Sequence, residues 1–226
     1  MSSLLHLAIA LVFLTIDSAL ELSFISATVG YFHRSGANQY PFKGTDGSTI
    51  LINAKPKGFL VNEGHTSNGA AGTALVIVSI GGWIVLWWMR RREKSNETPR
   101  PSRIFLGYTI WTILSFCLTT AALAYTFAVT NQTKGQSIDT TVAAQFQGHA
   151  YPLQNWSPEN WEKALLALPL TSNKDRNYLN HWLHVIQGWK WNLIPLFLIG
   201  LVVMVLSIRV YLEQRTGRRL VRSSKV

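Results

Sequence analysis

The chain has 226 residues and a formal net charge of +10, with 21 Lys and Arg against 11 Asp and Glu. Four long apolar stretches leave too little sequence for a further soluble domain of the usual size, roughly 100 residues or more. The basic residues do not alternate with stacking aromatic residues, which argues against a nucleic-acid partner, and the single cysteine, Cys117, lies in an apolar stretch, which argues against an ectodomain held by disulfides.

The four apolar stretches are each long enough to cross a bilayer as a helix. They cover residues 4–30, 70–89, 104–129 and 193–212, and each reaches the roughly 20 residues that a crossing requires. A bilayer offers no hydrogen-bonding partner to the backbone, so these segments are expected to be helical. The sequence therefore predicts an all-α integral membrane four-helix bundle that forms a single polytopic domain over residues 1–226.

Two acids interrupt the first span. Asp17 and Glu21 lie one turn apart, so both carboxylates project from one helix face. A charge at that depth costs about 2.5 to 3.5 kcal/mol on insertion scales, and intramembrane acids are functional candidates for that reason. Both are candidate catalytic residues, as proton donors, ion ligands or contacts to a polar group of a lipophilic ligand. The structural alternative is hydrogen bonding to hydroxyls of the third span, at Thr109, Thr112, Ser115, Thr119 or Thr120.

The first span also has the outline of a secretory signal peptide. Residues 7–16 resemble an apolar h-region, and small residues follow them. However, no Lys or Arg precedes this region, and the apolar character resumes after Glu21. These features favour a retained span over a cleaved one.

The first loop, residues 31–69, contains a short β pattern. Residues 48–53 form a β run, residues 54–58 supply a turn, and residues 59–62 continue the strand pattern, so a small hairpin is predicted. Glycine and asparagine over residues 63–69 indicate a flexible return to the second span.

Basic residues collect beside two membrane ends, in the loop of residues 90–103 and at the end of the fourth span with the tail of residues 213–226. The two clusters consist of Arg90, Arg91, Arg92, Lys94, Arg100 and Arg103, and of Arg209, Arg215, Arg218, Arg219, Arg222 and Lys225. Short cytoplasmic loops carry such an excess, so both termini are expected in the cytosol and the loops of residues 31–69 and 130–192 outside it. A multi-pass protein of the endoplasmic reticulum or another endomembrane is expected, with the plasma membrane as the alternative.

Two glycosylation sequons lie in the second exterior loop. Asn131 begins the sequence NQT, and Asn155 begins the sequence NWS. Both asparagines are candidate glycosylation sites. The first lies close to the membrane and the second sequon is followed by a proline, so neither is a strong acceptor.

Two amphipathic helices are predicted in the same loop. Serine, proline and glutamate at residues 157–159 form a good helix start, and Pro169 ends that helix. A second helix runs over residues 174–187, with Gly188 as its terminator. Both are expected on the membrane surface or over the bundle, because the loop carries more apolar surface than it can bury alone.

A weak metal-ligand pattern occurs on the second of these helices. His181 and His184 are three residues apart, which can place both imidazoles on one side. A zinc or iron site needs three or four ligands, and the nearest further candidates, His149 and Asp175, are linked only by proximity in sequence. The two histidines are therefore weak candidates, and neither a bound metal nor a cofactor is predicted.

The fourth span begins with the sequence Trp189, Lys190 and Trp191. Aromatic rings favour the boundary between hydrocarbon and water, and a lysine there extends its ammonium group towards the water. The three residues predict an anchor at the membrane surface.

Three segments carry a family resemblance: WSPENW at residues 156–161, LALPL at residues 166–170, and GWKWNLIP at residues 188–195. Together they resemble a pattern in poorly characterised fungal four-span membrane proteins, over roughly the last third of the chain. Some proteins of that kind are encoded among secondary-metabolite genes. The resemblance implies an accessory or enzymatic role in making a lipophilic natural product, with a lipophilic small molecule as a partner.

Competing functions stay open at this point. The alternative to a biosynthetic role is a noncatalytic tetra-spanning scaffold that assembles with other membrane proteins, because no complete active-site pattern is present. An oligomeric transporter is a weaker alternative, since neither inverted repeats nor paired broken helices are visible. The sequence leaves open whether the protein is an enzyme.

Overall fold

A computed structural model of the protein describes residues 3–94 and 103–223. Two members of the predicted basic clusters, Arg100 and Lys225, lie outside the described residues. The side chains of Arg92, Lys94, Arg218, Arg219 and Arg222 also lie outside the described part.

The described chain is mostly helical and contains one two-stranded sheet. The helices are α1 (Ser3–Ser35), α2 (Asn62–Gly72), α3 (Gly81–Lys94), α4 (Arg103–Gln132), α5 (Thr140–Gln145), α6 (Pro158–Ala167) and α7 (Asn173–Ser223), and the strands are β1 (Gln39–Lys43) and β2 (Thr49–Asn53). A π-helix, Thr73–Ile80, joins α2 to α3 and makes them one continuous helical segment.

Four helical segments are long and apolar enough to cross a membrane: Ser3–Ser35, Asn62–Arg91, Arg103–Gln132 and Asn173–Thr216. Each contains one of the four predicted spans, so the prediction of four long apolar helices is confirmed. The π-helix falls within the second of them, where the Tyr108 hydroxyl donates to the Val78 carbonyl at 3.2 Å. A π stretch is uncommon inside an α-helix and is often kept for a local structural or functional reason.

Two glycines that were predicted to interrupt helices lie inside them instead. Gly64 is part of α2, so the flexible return over residues 63–69 was a wrong prediction. Gly188 does not end a helix, because α7 runs through it as a single helix. A Cβ atom at Gly188 would lie 2.9 Å from the Phe24 ring. This glycine therefore permits close packing of α7 against α1 rather than termination.

The chain divides into two compact units. Unit 1 consists of Met1–Leu22, Asn68–Leu123 and Asn192–Val226. Unit 2 consists of Ser23–Ser67 and Ala124–Trp191. The long helices contribute segments to both units.

Unit 1 is an apolar helical unit with apolar residues both inside and outside. Leu7, Leu11 and Phe105 are fully buried in its core. Phe13 of α1 and Ile84 of α3 are more than half exposed. An extended apolar surface of this kind is unusual for a protein surrounded by water and suits contact with lipid.

Unit 2 contains the hairpin, but its strands differ from the prediction. β1 pairs with β2 in antiparallel register, with Tyr40 opposite Ile52, so residues 39–43 and not residues 59–62 supply the second strand. The reason is the turn between them, where Gly47 has a φ of +78° and Asp46 accepts a hydrogen bond from the Ser48 amide. An Asp-Gly sequence is a strong hairpin signal. The prediction of a hairpin is confirmed, and its strand pairing was wrong.

Helix α6 begins as predicted but does not lie on a surface. Ser157 accepts a hydrogen bond from the Asn160 amide, and Pro158 occupies the first helical position. Yet Glu159 and Glu162 are buried along with the apolar residues of the helix. The expectation of a helix on the membrane surface was wrong here, because Glu159 pairs with two lysines and Glu162 accepts a hydrogen bond from Tyr31 in the interior. The alternative position over the bundle stays a prediction.

Candidate functional site

The two acids of the first span are buried in unit 1. Glu21 has no exposed surface, and neither of its carboxylate oxygens lies in hydrogen-bonding geometry with a described donor. Asp17 is 8% exposed, and its Oδ2 also lacks a donor there. The nearest amide group is that of Asn192, which donates to the Asp17 backbone carbonyl at 3.4 Å. The acids are thus placed inside the protein, and their catalytic role stays a prediction.

Hydroxyl groups of α4 do not support these acids. Each of four threonines donates its hydroxyl hydrogen to a carbonyl of its own helix, three or four residues earlier. These are Thr109, Thr112, Thr119 and Thr120. The alternative in which span-three threonines donate to the acids therefore finds no support in the geometry.

A small cavity in unit 1 offers no room for a ligand. It is lined by Leu14, Ser115 and Gly200 among others, but by neither acid, and its volume is about 10 Å³. A cavity of that size holds about one water molecule.

Unit 2 contains a larger space, which we call the unit 2 cleft, with a volume of about 200 Å³. Its buried floor consists of Ile25, Thr28, Phe32, Gly64, Pro158 and Trp189. Its walls include Val29, Phe59 and Val61. Drug-sized sites have roughly 300 to 1,000 Å³, so the cleft matches part of a hydrocarbon chain or a small ring system rather than a large ligand.

The rim of the unit 2 cleft is basic. Three exposed residues with nitrogen-bearing side chains line it: His33, Lys55 and His65. The Lys55 ammonium lies 5.7 Å from the centre of the Phe59 ring, a distance typical of a cation–π contact. None of the residues that line the cleft is acidic.

The floor of the unit 2 cleft contains a buried donor without an acceptor. Trp189 is 2% exposed, and its indole N–H has no hydrogen-bond partner among the described residues. Buried tryptophans usually find a partner for this group, and leaving a buried donor unsatisfied costs about 1 to 3 kcal/mol. This N–H has almost no surface accessible to water, so it does not face the open space of the cleft.

A buried ion cluster holds two floor residues in place. Glu159 lies between the ammonium groups of Lys163 and Lys190, at 2.5 Å from each. Burial alone would raise the pKa of Glu159, but the hydrogen bonds and positive charges of the two lysines outweigh burial and lower it. The cluster ties α6 to α7 immediately beside Pro158 and Trp189.

The predicted anchor at Trp189 to Trp191 is therefore only partly exposed. Trp191 is 54% exposed, but Trp189 and Lys190 are buried. Lys190 does not extend towards water because Glu159, 31 residues earlier in the chain, provides a buried partner. The prediction of a surface anchor was wrong for these two residues.

The weak metal candidates gain no third ligand from the described residues. His184 donates through Nδ1 to the Asn180 carbonyl at 2.7 Å, and the His181 ring meets the Trp182 ring edge-on. Across residues 3–94 and 103–223, no three His, Cys, Asp or Glu side chains are grouped closely enough to hold a metal ion.

Both candidate glycosylation sites, Asn131 and Asn155, are exposed. The hydroxyl residues of their sequons are buried and contact each other, since the Thr133 hydroxyl donates to the Ser157 hydroxyl at 2.9 Å. Glycosylation of either asparagine stays a prediction.

Comparison with known proteins finds no match. Neither a protein-family model, nor a curated protein, nor a solved structure is similar to this chain. Function is therefore argued from the geometry of the unit 2 cleft.

Sequence reasoning missed this cleft. Its residues come from α1, the segment after β2, α2, α6 and α7, and no short sequence pattern contains them. The one local signal was the apolar character of the second exterior loop. This loop carries more apolar side chains than one side of a surface helix can bury.

Proposed function

We propose that this protein is a multi-pass membrane protein that binds a lipophilic small molecule in the unit 2 cleft. Four helices of sufficient length and hydropathy support the membrane part of the proposal. Exposed apolar side chains along unit 1 support it further, because a hydrocarbon environment removes their contact with water. Examples are Ile9, Phe13, Ile16, Val76, Ile84, Leu114, Leu198 and Val205.

The orientation in this proposal follows from the charge distribution. The excess of arginine in residues 90–103 and in the tail favours the cytosol for both, and with them for both termini. The loops of residues 31–69 and 130–192 then face the other side of an endomembrane. Cleft residues that belong to these loops therefore lie on the non-cytosolic side of the membrane in this proposal.

One observation carries the binding proposal: the unit 2 cleft has a volume of about 200 Å³ and a largely apolar floor and walls. Buried apolar surface provides affinity for a lipophile, at about 25 cal/mol per Å² removed from water. A purely structural packing defect would not need exposed basic residues around its rim.

The biological role in this proposal is that of an accessory or enzymatic component in making a lipophilic secondary metabolite. Support for that role comes from the resemblance of residues 156–161 and 188–195 to fungal four-span membrane proteins. Pro158 and Trp189, which line the cleft, belong to these two segments. Asp17 and Glu21 stay candidate catalytic residues in this proposal.

The binding proposal is tested by photolabelling in membranes. Membranes are first washed with alkaline carbonate, and we expect the chain to stay in them. They are then irradiated with ten-carbon probes that carry a mid-chain diazirine and end in a hydroxyl, a carboxylate or a trimethylammonium group. We expect at least one probe to label residues 25–33 and 59–65 saturably, so that excess unlabelled compound competes. Labelling of lipid-facing surfaces follows partition into the bilayer and does not saturate.

Filling the cleft provides the matched variant. Val61→Trp places a large ring at the wall of the cleft, and we expect it to remove the saturable labelling. Leu51→Trp makes the same change at a residue of β2 that is similarly exposed and does not line the cleft, and labelling should persist. Release of the chain by carbonate would contradict the membrane assignment. Absence of saturable labelling with all three probes, or its persistence in Val61→Trp, would contradict the binding proposal.

A further inference from the structure

We infer that the unit 2 cleft selects an anionic amphiphile, meaning a hydrocarbon chain that ends in a carboxylate or phosphate group. The inference rests on the proposed function, since it assigns the head group of the lipophile that the cleft binds. The apolar floor and walls receive the chain, and the basic rim receives the head group.

The rim supplies positive charge without a compensating acid. Lys55 and the two histidines are exposed at the cleft, and no residue that lines the cleft is an aspartate or glutamate. Two acids lie nearby: Glu159 is bound by two lysines, and Glu63, next to Gly64 in the chain, is buried and does not line the cleft. A cationic head group would therefore meet repulsion at the rim, whereas an anionic group would meet attraction.

Lys55 is the best placed of the rim residues. Its ammonium lies over the face of Phe59, which itself forms part of the cleft wall. This contact favours side-chain positions in which the charge stays near the cleft. A carboxylate at the mouth would meet a partly oriented ammonium group instead of a freely moving one.

The simpler interpretation is that Lys55, His33 and His65 are ordinary solvated surface residues. Exposed charges of that kind contribute little to stability on their own. The two interpretations differ in one respect: only a binding site predicts that the charge at residue 55 decides which head group is retained. The test is designed around that difference.

The head group is tested with the three diazirine probes described above. In the wild-type chain we expect saturable labelling of the cleft to be strongest with the carboxylate, weaker with the alcohol and weakest with the ammonium compound. Lys55→Glu should weaken the apparent affinity for the carboxylate on the order of tenfold and strengthen that for the ammonium compound, since it reverses a charge at the mouth. Lys57→Glu makes the same change at an exposed lysine outside the cleft and should leave the order unchanged.

Competition then distinguishes the two acidic head groups. Stronger competition by decyl phosphate than by decanoate assigns a phosphate, the reverse order assigns a carboxylate, and equal competition assigns the anionic class. Equal labelling by alcohol and carboxylate, or a carboxylate preference that survives Lys55→Glu, would overturn the head-group inference alone. Absence of saturable labelling with every probe would instead overturn the proposed function and this inference with it.

Discussion

Ionisation of Glu162 is expected to lower the stability of unit 2 by about 5 kcal/mol as the pH rises from 4.5 to about 8. Glu162 has no exposed surface, and burial raises its pKa from 4.5 to about 8 despite the hydrogen bond from Tyr31. The Tyr31 hydroxyl donates to Glu162 Oε1 at 2.9 Å, while Oε2 has no partner among the described residues. Among the described residues, no lysine or arginine forms an ion pair with Glu162, so the acid folds in its neutral form.

The sign of the effect follows from proton binding. Between pH 4.5 and 8 the folded state holds a proton on Glu162 that the unfolded chain has released. The contribution of Glu162 to stability is therefore greatest below about pH 4.5, falls by about 1.4 kcal/mol per pH unit and becomes level above about pH 8. The lowered pKa of Glu159 acts in a different window, because its contribution is lost only as the pH falls below its ordinary range.

Urea unfolding at pH 5, 6.5 and 8, followed by tryptophan fluorescence, measures this slope. Glu162→Gln keeps the acceptor for Tyr31 but cannot ionise, so we expect it to match the wild type at pH 5 and to exceed its stability at pH 8. Asp46→Asn changes an exposed acid of the hairpin turn, whose pKa is lowered by Ser48 and lies outside this range. It should retain the wild-type slope. A slope that survives in Glu162→Gln would show that another group causes it.

The second large effect is expected at Trp161. Replacing it with alanine should destabilise unit 2 by about 3 to 5 kcal/mol, the range for a buried tryptophan. The Trp161 side chain is fully buried, and its indole N–H donates to the Ala54 carbonyl at 2.7 Å. Its ring also meets those of Trp156 and Tyr151, at 5.1 Å and 5.9 Å between centres. These contacts join α6 to the segment that follows β2.

Hydrogen exchange of the hairpin amides measures the loss of stability within unit 2. A local measurement is needed because a chain of two units need not unfold in a single step. In Trp161→Ala we expect their protection to fall by roughly two to three orders of magnitude, since about 1.4 kcal/mol corresponds to tenfold. Trp161→Phe should give an intermediate loss, because it keeps a ring but leaves the buried Ala54 carbonyl without its donor.

Trp191→Ala is the matched control for Trp161, because Trp191 is an exposed tryptophan of the same unit. It should change the protection of the hairpin amides by less than tenfold. If the hairpin amides lost equal protection in Trp161→Ala and Trp191→Ala, burial of Trp161 would not be the cause of its effect on stability.

The four long helices were predictable because their cause is local. A run of apolar residues of sufficient length determines a helix in lipid whatever its neighbours are. The cap at Ser157 and Pro158 was predictable for the same reason, since it depends on adjacent residues only.

The architecture of unit 2 depends on partners that are distant in sequence. Lys190 was predicted at a membrane surface from its tryptophan neighbours, but Glu159 holds it in the interior. Helix α6 has the local pattern of a surface helix, yet Tyr31, 131 residues from Glu162, allows its polar side to be buried. The Asp46-Gly47 turn was a local signal for the correct hairpin and outweighs the strand pattern of residues 59–62.

The unit 2 cleft is the feature on which the account depends. Native mass spectrometry of the chain, extracted in mild detergent from its own membranes, tests it most directly. We expect the wild type and Leu51→Trp to carry one bound acidic lipophilic molecule per chain, and Val61→Trp to lack it. Identical bound molecules in all three proteins, or no such molecule in the wild type, would contradict binding in the cleft.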